Sequence, residues 1–163
     1  MIRVTIPEGK QARAYALGEL GSPALTAALS ASLQAQLAPG TTLSGREREG
    51  VRARMAHVID CVNCLQWRPA EQVPDYSSEP IPEDFYTNIG EPSGWSGYSD
   101  RERLAIDFAD RFGTDHESLQ ADDAFWERLH DHFTDAELAD LALLSGTWLG
   151  SSRVMLVLGV KDA

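Results

Sequence analysis

The pair Cys61 and Cys64 in Cys61-Val62-Asn63-Cys64 holds the chain's only two cysteines, and no other arrangement in the sequence is better suited to chemistry. A Cys-x-x-Cys sets two sulfurs one helical turn apart, close enough to join as a disulfide or to share one metal ion. At a helix start, free N–H groups and the helix dipole favour the thiolate, the nucleophilic form. Asp60, immediately before the motif, acts the other way by raising the thiol pKa. The spacing alone leaves three readings open: a redox centre, a metal site or an inert pair. A structural staple is the weakest use, because two cysteines three positions apart close only a tiny loop.

Two neighbours bear on that choice. Glu49 lies twelve residues before Cys61, on the helix that precedes it, where a carboxylate could shuttle protons to a thiol. His57 stands one turn before Cys61 and is either the base facing the sulfur or an ordinary solvent-facing or packed histidine. A zinc site from His57, Cys61 and Cys64 lacks a clear fourth ligand. His130 and His132, two apart, do not share a helix face and make a poor chelate; His116 reads as a loop residue. The sequence contains no Gly-rich phosphate loop and no Ser-His-Asp pattern.

The elements that must position these residues read as helices. Ser22-Pro23 is a cap with proline at the first helical position, opening a helix to about Gln36 that Pro39-Gly40 stops. Three capping boxes follow, at Ser44/Glu47, Ser99/Glu102 and Thr134/Glu137. The first opens a helix with Val51, Met55, Val58 and Ile59 on one stripe. Cys61 begins a short helix through Leu65 and Trp67. The second box leads to Leu104, Phe108 and Phe112, with Gly113 suited to the stop. A helix over about 122–132 carries Phe125, Trp126 and Leu129. The third box opens a long apolar helix ended by Gly159, apolar on most faces and expected to be buried, partly against another subunit. Gly146 and Gly150 on that helix make a small patch suited to close helix approach or to plain internal packing. Residues 1–21 give weak signals. Residues 69–98 hold five prolines and three glycines, too many breakers for regular structure. Their aromatics Tyr76, Phe85, Tyr86, Trp95 and Tyr98 predict a long loop packed over a site or an interface.

No strand is evident, so the expected fold class is all-α, one domain over 1–163. With 25 Asp and Glu against 14 Lys and Arg, the formal charge of −11 repels a phosphate backbone and argues against nucleic acid. No signal peptide is visible, and the longest apolar block, Val154 to Val160, is too short to span a bilayer, so the expectation is a cytoplasmic protein without a membrane partner.

The stretch Arg46-Glu47-Arg48-Glu49, then Val51 to Ile59, then Cys61-x-x-Cys64, resembles the carboxymuconolactone decarboxylase family, in particular its alkylhydroperoxidase D-like branch. The second and third capping boxes, through Arg153 and Gly159, are similar to that family's C-terminal helices, so the resemblance runs from about residue 22 to 160. It implies a compact helical bundle assembled into trimers or hexamers, with peroxide or thiol–disulfide chemistry that needs no metal, haem or other cofactor. It further implies that Cys64 attacks the peroxide, Cys61 resolves the sulfenic acid into a disulfide, and Glu49 belongs to a proton relay. Helix-dipole reasoning taken alone would instead favour Cys61 as the lower-pKa thiol. The expected substrate is an organic hydroperoxide or a small disulfide, and the expected reductant an outside thiol. The family motif carries a histidine four residues after the second cysteine; here that position is Arg68, which can stabilise a thiolate but cannot relay a proton near neutral pH. Asn63 stands where the branch often has another histidine, which leaves His57 as the candidate base. Lactone decarboxylation and a non-catalytic helical assembly module are the competing readings.

Overall fold

Local hydrogen bonding accounts for where the main helices begin. In the computed structural model, which describes residues 1–38 and 40–160, all three capping boxes close. At Ser44 the hydroxyl accepts from the Glu47 N–H (3.2 Å) while the Glu47 carboxylate accepts from the Ser44 N–H (2.8 Å), so two otherwise unsatisfied donors are answered reciprocally. These boxes start α3 (Gly45–Val58), α7 (Asp100–Thr114) and α10 (Asp135–Leu158). The remaining helices are α1 (Ala12–Gly18), α2 (Pro23–Leu37), α4 (Val62–Gln66), α5 (Pro69–Gln72), α6 (Glu83–Thr87), α8 (His116–Ala121) and α9 (Asp123–His132), with a single 3-10 turn over Pro92–Gly94. Among the described residues there is no strand, and the fold class is all-α as expected.

Helices α3 and α7 form the frame, and ion pairs set their register. Arg46 of α3 holds Glu102 of α7 (2.5 Å), and Arg54 holds Asp110 (2.9 Å), each pair 56 positions apart. Gly50 meets Ile106 at the same offset between them. Contacts that repeat at a constant offset mean the two helices run parallel, so the chain between them must cross back over the bundle. Arg101 reciprocates from α7, bridging Glu47 (2.6 Å) and Glu137 (2.7 Å), and thereby ties all three capping boxes together. The main core, with Val51, Met55, Leu104, Phe108, Phe125, Leu129 and Leu141, lies between α3, α7, α9 and α10.

Several expectations need correction. Residues 69–98 are not one irregular loop: α5, α6 and the 3-10 turn all lie there. Proline only breaks a helix it interrupts, and Pro69 and Pro92 sit in the first turn, where the missing N–H costs nothing. The aromatics of this segment do pack: Phe85, Tyr86 and Tyr98 form a second cluster with Ala53 of α3 and Ile106 of α7. Helix α1 lies in the region of weak signals, and His116 opens α8 instead of sitting in a loop. Gly113 does not stop α7, which continues to Thr114; its missing side chain makes room for Met55 and Val58 of α3. Helix α2 ends at Leu37, and the expected stop residue Pro39 lies outside the described residues.

By length and composition alone α10 is long and apolar enough to cross a bilayer, with Gly, Ser and Thr interspersed among its apolar residues. Leu138, Leu141, Leu144 and Met155 point into the protein, while Leu143, Val154, Leu156 and Val157 are exposed. Gly146 faces the Phe112 ring, and Gly150 faces open space.

Candidate functional site

The turn that delivers the cysteines is a helix C-terminus. Asp60 adopts a left-handed conformation (φ 51°), which lets the Cys61 N–H reach the Ala56 carbonyl (3.0 Å) past the end of α3. This is the Schellman closure, with aspartate at the position glycine usually fills. Cys61 then caps α4: its sulfur accepts from the Cys64 N–H at 3.3 Å. The two sulfurs are joined as a disulfide, with Cα atoms 5.3 Å apart. Their exposure differs: Cys61 is 1% exposed, whereas Cys64 is half-buried and is the more exposed residue of the pair.

Beneath α4 lies a buried ion pair. Arg52 donates from Nε (2.8 Å) and Nη2 (2.6 Å) to the Glu49 carboxylate, and both side chains are almost wholly buried. The same guanidinium donates to the Cys64 carbonyl (2.6 Å) and the Trp67 carbonyl (3.2 Å), so it carries the last turn of the Cys-x-x-Cys helix. Its plane lies over the Trp67 ring, which packs edge-on against Trp148 of α10. Tyr76 also donates to Glu49 (2.9 Å), and Tyr86 lies close enough to interact with the same carboxylate, both from the segment that crosses between α3 and α7. Burial first, and the Glu49 charge second, push both phenols far above the ordinary tyrosine pKa, so both remain donors. Glu49 thus reaches the cysteines through Arg52, and its oxygens are taken up by Arg52 and the Tyr76 phenol.

The other sequence candidates fall elsewhere. His57 is exposed, with its ring against Gly90 and on the side of α3 where Arg54 holds the Ile89 and Gly90 carbonyls. A contact between this ring and a cysteine sulfur is not among the hydrogen bonds of the described residues. Arg68 forms an ion pair with Glu83 (2.6 Å), donates to the Leu65 carbonyl (2.6 Å) and lies over the Tyr86 ring. Its pKa is raised further, first by the hydrogen bond to Glu83. His130 lies 3.7 Å from the Asp135 carboxylate, both exposed, and among the described residues no group of three or more His, Cys, Asp or Glu is gathered for a metal.

One residue that the sequence did not single out does touch the sulfur. Arg13 of α1 places Nη2 3.6 Å from Cys64 Sγ. Arg52, one turn from Glu49, carries a local signal that the sequence reading passes over, whereas Tyr76 and Tyr86 belong to the aromatic segment expected to pack over a site or an interface, with no partner on Glu49 foreseen for them. No family model matches the chain, and neither a curated protein nor a solved structure matches it.

Proposed function

We propose that the protein is a thiol–disulfide oxidoreductase of the alkylhydroperoxidase D-like type, using an organic hydroperoxide as oxidant. The observation that carries this reading is the Cys61–Cys64 disulfide, with one cysteine buried and the other half-buried. That asymmetry suits a division of labour. In the reduced pair, the Cys64 thiolate attacks the peroxide: an S–O bond forms, the O–O bond breaks, and the leaving alkoxide takes a proton to become an alcohol. The Cys61 sulfur then attacks Cys64, forming S–S and expelling hydroxide, which leaves as water with the Cys61 proton. Two molecules of an outside thiol regenerate the pair through a mixed disulfide at Cys64. A reducing cytoplasm supplies such a thiol. The Glu49–Arg52 pair serves as the support that holds the Cys64 carbonyl in place.

Support for homo-oligomer formation comes from α10, whose Leu143, Val154 and Val157 present an exposed apolar face suited to a second copy. A monomer by light scattering at micromolar concentration would remove that part of the reading.

The redox reading is tested by treating reduced protein with one equivalent of an alkyl hydroperoxide. Mass spectrometry should show loss of two hydrogens, and Cys61→Ser should stop at a sulfenic acid on Cys64 that a dimedone probe traps. Reduced protein that stays unmodified would overturn it, leaving a helical assembly module.

A further inference from the structure

The thiol that attacks must be held as its thiolate, and the two sulfurs are unequally served. Cys61 accepts one backbone N–H and is buried, and burial disfavours a thiolate. Cys64 is half-buried and faces a full positive charge, the Arg13 guanidinium at 3.6 Å. The other cations near the pair are already answered: Arg52 by Glu49 at 2.6 Å, Arg68 by Glu83 at 2.6 Å. Asp60, the nearest carboxylate along the chain, directly precedes Cys61. The Arg13 contact sets a guanidinium directly on the Cys64 sulfur, across 51 positions of the chain.

The N-terminal segment is also anchored. Ala12 packs with Met155 and Val160, and the Arg3 N–H donates to the Leu158 carbonyl (2.9 Å). Gly159, left-handed at φ 72°, lets residues 1–2 lie against the end of α10, where a side chain would collide with the Met1 carbonyl.

We infer that Arg13 is the residue that makes Cys64 the reactive thiol of the pair, holding it as thiolate for attack and accepting it as the leaving group when a mixed disulfide on Cys64 is resolved. The inference rests on the redox reading of the same two cysteines, but it does not depend on peroxide being the oxidant. An opposite charge in contact typically lowers an acidic pKa by about one to three units, and a half-buried site sits at the lower end.

The test is the pH profile of alkylation by limiting iodoacetamide on fully reduced protein, with the modified cysteine mapped by mass spectrometry. Cys64 should react first, with a midpoint below the ordinary value of about 8.5. Arg13→Gln should raise that midpoint and slow Cys64 alkylation near neutral pH by about tenfold. Arg13→Lys, which keeps the charge, should hold the rate within about threefold of the parent. Should the glutamine variant fail to fold, the parent alone decides: salt raised to about 1 M should shift the Cys64 midpoint upward more than that of Cys61. Cys61 reacting first, a glutamine profile that overlays the parent, a lysine profile that matches glutamine, or midpoints insensitive to salt would each overturn the inference. Because no peroxide is used, failure here is distinct from failure of the hydroperoxide reaction.

Discussion

Replacing Arg52 by methionine should be among the most damaging single changes outside the apolar core. It leaves Glu49, 0% exposed, with the Tyr76 donor but without its ion-pair partner, and frees the Cys64 and Trp67 carbonyls beneath the redox helix. Removing one partner of a buried, well-formed ion pair costs about 3–5 kcal/mol. That is a large share of the roughly 5–15 kcal/mol that holds a domain folded. With a urea m-value of about 2 kcal/mol per molar, the denaturation midpoint should fall by roughly 1.5–2.5 M. The assay is equilibrium urea unfolding with the disulfide intact, for Arg52→Met, Glu49→Leu and the double variant. The double variant should lose clearly less than the sum of the two single losses, because it leaves no buried charge unpaired. Single losses under about 1 kcal/mol, as for an exposed pair, would refute the argument, as would strict additivity. If Arg52→Met cannot be purified, Arg52→Lys, which loses the fork that meets the carboxylate and both carbonyls, carries the same comparison.

Other expectations follow from the same geometry. Tyr98 is pushed up to about 12, chiefly by burial, and Tyr76 and Tyr86 are raised as well. A raised phenol pKa means the folded state keeps a proton the unfolded chain has lost. Stability should therefore fall as pH rises above about 10, with delayed phenolate absorbance; three tyrosines ionising before unfolding would contradict this. Gly45→Ala places a methyl against the Tyr76 carbonyl and within 2.5 Å of Ser77 Cα. It should cost about 1–3 kcal/mol by urea midpoint despite the better helix propensity of alanine. Arg68→Ala should leave Cys64 alkylation within about twofold of the parent, because its charge is already engaged by Glu83. A tenfold loss would show that Arg68, not Arg13, acts on the sulfur. His57→Gln should leave peroxide oxidation of the pair unchanged, since the ring is exposed and lies against Gly90; an oxidation rate lowered severalfold would restore it as the base.

What was legible in the chain was whatever closes over three or four residues. A serine or threonine followed three places later by glutamate satisfies its own backbone donors, so the three capping boxes, and with them α3, α7 and α10, announce themselves locally. The Cys-x-x-Cys is local in the same sense, and its disulfide needs only the turn that Asp60 makes. Short helices were less visible: four or five residues are too few to display a period, so α5 and α6 were hidden behind their prolines. The surroundings of the sulfurs depend on long-range contacts that no window reveals. Tyr76 meets Glu49 across 27 positions, and Arg13 meets Cys64 across 51. Short-range pattern therefore suffices to place a cysteine pair at the start of a short helix that follows a capped one in an all-helical chain. The surroundings of that pair come from long-range packing: parallel α3 and α7 bring the crossover segment onto Glu49, and the N-terminal segment docked on α10 carries Arg13 to Cys64.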